Sequence, residues 1–120
     1  MSNKQMHEFS LCEGILKQVA KANQNNLTNV EYINIEIGKL AGVDTQSLLF
    51  WFPVVAKKLS CEHVQLAITE PEGIALCNTC AQQFEIHNLY DACPHCNTFG
   101  NYEILHGREL MVKSFTLTQQ

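Results

Sequence analysis

The chain carries Cys77-Asn78-Thr79-Cys80 and, twelve residues later (81–92), Cys93-Pro94-His95-Cys96. In each quartet a two-residue spacer lets both sulfurs reach one ion from a tight turn, and four soft ligands match the tetrahedral preference of Zn²⁺. The interval is a little shorter than the commonest zinc-ribbon spacing, yet ample for a hairpin carrying one pair at each end. Little else in the segment supports a fold. Ile74, Leu76, Phe84, Ile86, Leu89, Phe99 and Tyr102 are most of its large apolar side chains, too few for so short a stretch to fold alone. A bound zinc ion, worth roughly 10–16 kcal/mol in finger-like peptides, supplies the difference. Four protein ligands leave no open coordination position, so Zn(II) reads here as a structural cofactor. Two dithiol redox pairs are the weaker reading, since the flanking pattern lacks a thioredoxin-like βαβ setting; iron in the same cage is another weaker one. His87, His95 and His106 read as surface histidines, Cys12 as a small core residue and Cys61 as an ordinary free thiol.

Working outward, Pro71 to Gly107 holds both pairs and reads as an insert. Before it, Cys12, Ile15, Leu16, Val19 and Ala22 recur at helical spacing, predicting a helix over 9–22 with Ser10 and Glu13 as a capping box. Ile33, Ile35 and Ile37 alternate with Asn34 and Glu36, predicting a strand closed by Gly38 and Gly42. Leu48, Phe52, Val55 and Leu59 mark a second helix capped by Asp44 or Ser47. Pro53 lies inside it and predicts a bend or a break, because proline gives the Leu49 carbonyl no partner and crowds that turn. Val64, Leu66 and Ile68 form a second alternating strand, and Leu110 to Leu117 a last one rich in β-formers. The class is therefore α+β: a two-layer α/β domain over 1–70 and 108–120, with two helices on a three-stranded mixed sheet, and a zinc-ribbon-like domain inserted at 71–107. The strands flanking the second helix are expected to be parallel, joined by the usual right-handed crossover.

Composition narrows the function. Eight Lys and Arg against twelve Asp and Glu give a net charge of −4, which disfavours a nucleic-acid backbone as partner. No run is long and apolar enough for a membrane helix, and the polar start lacks the zones of a signal peptide. Reduced thiols then agree with a cytoplasmic location. No His-Glu-x-x-His helix is present to support a zinc hydrolase. Taken as bare residues, His7 and Glu8 read as a solvated pair at a helix start.

The segment Met6-His7-Glu8-Phe9-Ser10-Leu11, the stretch Ile35-Glu36-Ile37-Gly38 and the paired cysteines before a C-terminal strand together resemble the HypA/HybF family of hydrogenase nickel-insertion accessory proteins. The likeness spans residues 6 to about 117. It implies a non-enzymatic nickel metallochaperone that works with a nickel-handling GTPase to load Ni(II) into the hydrogenase large subunit, as a monomer or weak homodimer. Some relatives also serve urease maturation. By the same resemblance His7 is the nickel-binding histidine and Glu8 the acidic neighbour that supports the site. Imidazole suits Ni²⁺, and a histidine second from a free amine can complete a tetragonal chelate with that amine and backbone amides. Family members usually begin at the Met of Met-His-Glu, whereas Met1 to Gln5 precede it here. Three readings stay open: translation from Met6, an extension foreign to the natural chain, or nickel bound through the amides leading into His7. A zinc-ribbon interaction adaptor without nickel transfer is the alternative function.

Overall fold

The structure is a computed structural model that describes residues 3–118, with side chains from His7 onward. Of the stretch Met1 to Gln5 that precedes the Met-His-Glu segment, Met1 and Ser2 lie outside the described residues. Helix α1 runs Asn3–Ala22. It buries Cys12, Ile15, Leu16 and Val19 of the stripe that the three-and-four spacing predicts, while Ala22, the last member, is exposed at the helix end. It does not start at Ser10, which is exposed inside the helix. The capping box is thus unused, and Glu13 instead lies 3.7 Å from Lys58 Nζ. Lys, Gln and Glu are good helix formers, so the first turns propagate without any apolar period to announce them. The helix ends in left-handed backbone at Gln24 and Asn25.

Strand β1 is Val30–Ile37, with Val30, Ile33, Ile35 and Ile37 buried. Helix α2 is Thr45–Lys58; its N-cap Asp44 accepts a hydrogen bond from the Ser47 N–H at 3.1 Å. The helix buries Leu48, Phe52, Val55 and Ala56. It is not broken at Pro53. Both Pro53 and Leu49 are exposed, so water can take the carbonyl that proline leaves unserved. Strand β2 is Gln65–Thr69, one residue later than Val64, which is buried just before it.

Three short strands follow: β3 Ile74–Cys77, β4 Gln83–Glu85 and, after a long connection, β5 Tyr102–His106. Strand β6, Leu110–Leu117, closes the chain. One sheet has the order β2-β1-β6 and the other β4-β3-β5. In the first, Tyr32 N–H donates to Thr116 Oγ1, Asn34 Nδ2 to Ser114 Oγ and Thr118 N–H to the Asn29 carbonyl. Rising numbers on β1 meet falling numbers on β6, so this pair is antiparallel. In the second sheet β3 is antiparallel to both neighbours.

The chain divides into two compact units. One comprises the chain to Ile35, Val43–Ile68 and the chain from Val112; the other comprises Glu36–Gly42 and Thr69–Met111. The first is built on α1, α2 and most of the β2-β1-β6 sheet, with Leu16, Ile33, Ile35, Leu48, Val55 and Cys61 fully or almost fully buried. Cys61 is the free thiol expected, and it is buried in this core. The second unit has a far smaller core, Ala75, Cys77, Phe84, Ile86 and Cys93, edged by Leu40, Cys80, Cys96, Tyr102 and Ile104. No helix among the described residues is long and apolar enough to cross a membrane.

Two glycines let backbones meet in the second unit. Gly38 N–H donates to the Glu109 carbonyl and Leu40 N–H to the Gly107 carbonyl. A Cβ on Gly38 would lie 2.1 Å from the Gly107 oxygen, and Gly107 itself has φ +113°. Gly14, inside α1, has nothing within 4 Å of an added Cβ. Gly38→Ala is therefore expected to destabilise the protein by about 1–3 kcal/mol or more, whereas Gly14→Ala gains up to about 1 kcal/mol of helix propensity. Urea denaturation of the two variants beside the parent checks both signs.

Candidate metal centre

The first cysteine pair occupies the end of β3 and the turn after it; the second lies in the β4–β5 connection rather than at the far end of the hairpin. The two turns share one pattern. Ala81 N–H donates to the Cys77 carbonyl at 2.9 Å, and Asn97 N–H to the Cys93 carbonyl at 2.7 Å. Cys77 N–H in turn donates to the Gln82 carbonyl, and Cys93 N–H to that of Thr98. The residue after each second cysteine, Ala81 and Asn97, has φ 63°. Asparagine tolerates that left-handed conformation, whereas alanine adopts it at a cost of roughly 1 kcal/mol. Each knuckle thus folds through main-chain bonds within six residues, and its two sulfurs emerge side by side.

The four sulfurs converge. All lie within 4.8 Å of one another, with Cys77 Sγ 3.6 Å from Cys96 Sγ and Cys80 Sγ 3.7 Å from Cys93 Sγ. A disulfide would bring sulfurs to about 2.05 Å, and all six cysteines are free thiols. A tetrahedral ion with bonds of about 2.3 Å to sulfur needs S···S edges of about 3.8 Å, so the spacing fits a four-coordinate thiolate cage. Cys77 and Cys93 are buried, while Cys80 and Cys96 are partly exposed.

The surroundings charge this cluster unevenly. The Cys80 N–H, followed by that of Thr79, points at the Cys77 sulfur and holds its pKa down at about 6. The Thr98 hydroxyl and N–H lower Cys96 in the same way; Thr98 Oγ1 lies 3.3 Å from its sulfur. At Cys80 the Gln82 N–H also pulls downward, but burial and the neighbouring thiols of Cys77, Cys93 and Cys96 push it up to about 12. Negative charge settled on one sulfur obliges another to keep its proton. A dication removes that conflict, because it replaces the protons as the positive partner of all four thiolates.

His7 and Glu8 lie in the other unit. His7 is exposed. Glu8 does not form the solvated pair with it that the bare residues suggest, because its side chain is 0% exposed. Its Oε1 accepts from the Asp44 N–H at 3.4 Å, and Oε2 is buried with no hydrogen-bond partner among the described residues. The α1 carboxylate therefore sits at the N-terminus of α2, where the helix dipole favours negative charge. One turn on, burial and then the Glu8 charge push the Cys12 thiol up to about 12. Its Sγ lies 3.6 Å from the Leu48 carbonyl, as a core thiol. Phe9 packs edge-on against Trp51 at 5.7 Å and lies under Lys58 Nζ at 5.5 Å.

His87, His95 and His106 are exposed. One of them belongs to a group that the spacing of residues did not reveal: the ligand atoms of Glu72, Glu85 and His87 also lie within 4.8 Å of one another. The short Glu-x-His interval was its only local signal.

Comparison with known proteins adds an independent line. A family model described as hydrogenase/urease nickel incorporation, metallochaperone HypA, matches residues 6–117. The hydrogenase maturation factor HypA of Francisella philomiragia is 44% identical over 109 residues, covering 91% of this chain and 96% of that one. The protein of the same description from Chlorobium phaeobacteroides is 37% identical, covering 93% and 99%. Among solved structures, one described as the solution structure of the nickel metallochaperone HypA from Helicobacter pylori superposes with a TM-score of 0.60 at 23% identity, covering 94% of this chain and 98% of that one. Another, the solution structure of HypA protein, gives 0.62 at 24% identity, covering 94% and 97%. At such identity these superpositions speak to the fold alone.

Two outcomes follow from the cage geometry. Co²⁺ added to metal-free protein is expected to give the absorption of a tetrahedral thiolate complex, reduced or lost in Cys77→Ser. Because the Cys77 pKa is depressed to about 6, its thiolate persists above that pH and is lost as pH falls through it. Bound metal, which lowers thiol pKa further, should stay in place at pH 6 and leave only in more acid solution, as followed by the same absorption.

Proposed function

Because this chain belongs to the HypA family of hydrogenase/urease nickel-incorporation metallochaperones, we propose that it carries Ni²⁺ at His7 and hands it to the hydrogenase large subunit. The family is one of maturation factors, not enzymes, so the ion is cargo and no covalent change is catalysed. The observation that supports the reading is the match over residues 6–117, a range that includes Met6-His7-Glu8. In this reading the two metals divide by ligand softness: Cys77, Cys80, Cys93 and Cys96 keep structural Zn²⁺, while imidazole and amide nitrogen hold Ni²⁺ transiently. The domain of residues 1–70 and 108–120 then handles nickel, and 71–107 handles zinc. A nickel-handling GTPase is the partner that drives transfer, urease factors are partners in relatives of this role, and the cytoplasm is where the exchange occurs.

The local structure refines the roles. An exposed imidazole on α1 is accessible to an incoming ion. Glu8, with its carboxylate turned to the Asp44 N–H, supports the site as a positioning residue that holds α1 to the start of α2. Amide nitrogens leading into His7 belong to the first turns of α1, so a chelate that uses them requires those turns to unwind.

Calorimetric titration of zinc-loaded protein with Ni²⁺ tests this. His7→Ala is expected to lose the tightest nickel binding while keeping its zinc and its melting temperature. Glu8→Gln is expected to weaken nickel binding about tenfold and to lower the melting temperature as well. Unchanged nickel affinity in His7→Ala would sink the assignment.

A further inference from the structure

We infer that Glu72, Glu85 and His87 form a second, exchangeable site for a borderline divalent transition ion, built on the rim of the β3–β4 hairpin, with Glu72 ion-paired to the ammonium group of Lys39. The inference does not rest on the role of His7, because every residue it uses lies in the other unit.

The placement follows from strand register. Ile74 pairs with Glu85, and Ile86 N–H donates to the Gly73 carbonyl at 2.9 Å. The antiparallel ladder therefore continues one step past the assigned strands, to Gly73 and Ile86, and the next residues on the two sides are Glu72 and His87. Side chains alternate faces along a strand, so Glu85 and His87 share a face, and Glu72 joins them from across the ladder. Directly opposed residues have Cβ atoms about 5 Å apart, close enough for both to grip one ion. His87 Nε2 lies 3.4 Å from Glu85 Oε1, and the ligand atoms of all three fall within 4.8 Å.

The backbone beneath is fixed from three sides. A Cβ on Gly73 would meet the Ile86 carbonyl at 2.5 Å, so only glycine permits this approach of the two strands. Asp91 Oδ2 accepts from the N–H groups of His87 and Asn88, both at 3.0 Å, which pins the chain that presents the imidazole. Lys39 N–H donates to the Pro71 carbonyl at 3.0 Å, and its Nζ is ion-paired with Glu72 Oε1.

The donor set selects the class of ion. One imidazole nitrogen with two carboxylates suits Ni²⁺, Zn²⁺ or Co²⁺, whereas oxygen-only sites suit Mg²⁺ or Ca²⁺. Lys39 adds reversibility, because an arriving dication must displace the ammonium from Glu72. Ligand side chains 42–63% exposed leave water on the remaining positions, as an exchange site needs and a storage site does not. This differs from the cysteine cage in each respect: exposed against buried, oxygen and nitrogen against sulfur.

The test uses full-length zinc-loaded protein carrying His7→Ala, so that the α1 histidine does not contribute. Ni²⁺ is titrated while amide and imidazole resonances are followed by NMR. Paramagnetic broadening is expected first at Glu72, Glu85 and His87. Glu85→Gln and His87→Asn should each weaken it about tenfold or more, since loss of an outer-shell partner alone costs 10- to 100-fold. Lys39→Met should tighten it, by freeing Glu72. All four side chains are exposed enough for these variants to fold, which the dispersion of the same spectra verifies. Broadening that appears equally at His95 and His106, or that is indifferent to Glu85→Gln, or that weakens in Lys39→Met, would overturn the proposal.

Discussion

Four sulfur atoms brought to van der Waals distance by two separate turns are the constraint on which the smaller unit depends. Its core of five buried residues includes two of the sulfur-bearing ones, Cys77 and Cys93, and is edged by the other two, Cys80 and Cys96. Remove the reason for those sulfurs to converge, and what remains is Ala75, Phe84 and Ile86 with a few half-covered neighbours, far less than a chain segment of this length needs to offset its conformational entropy. The thiols are also electrostatically at odds, since stabilising the charge of Cys77 raises the cost of ionising Cys80. Packing and charge therefore ask for the same thing, a compact dication at the centre.

The larger unit is held by ordinary means. Helices α1 and α2 and the β2-β1-β6 sheet bury a continuous set of aliphatic side chains, and the polar exception, Glu8, is turned to the start of α2. A carboxylate there accepts a backbone donor that the helix end cannot satisfy internally. This ties the segment nearest the exposed His7 to the most regular part of the fold. The same chain thus holds two unlike chemistries: a soft cage that is its own scaffold, and a nitrogen-bearing helix end that leans on a conventional core.

Much of this architecture was legible in the residues. Alternation at Ile33, Ile35 and Ile37 marked β1, helical spacing marked both helices, and the twin Cys-x-x-Cys quartets announced the cluster. The early start of α1 was not legible, because Asn3 to Glu8 propagate a helix through propensity without an apolar period. Ser10 and Glu13 formed a plausible capping box at a place where no helix began. Pro53 did not break α2, because the cost of a lost hydrogen bond depends on whether water can replace it, and exposure is not written in the local sequence. Strand β4, at three residues, is too short for alternation to show. The burial of Glu8 and the meeting of Glu72 with His87 follow only from tertiary packing and register, which couple positions far apart in the chain.

The likeness of the two knuckles bears on how the cage is assembled. Each turn is closed by contacts between near neighbours, so either one presents a two-pronged claw without any long search through conformations. Joining them requires only that the twelve residues between Cys80 and Cys93 loop round, an entropic cost that grows slowly with length. Each turn can thus offer its two sulfurs before the other has formed, because its closing main-chain bonds lie within its own six residues.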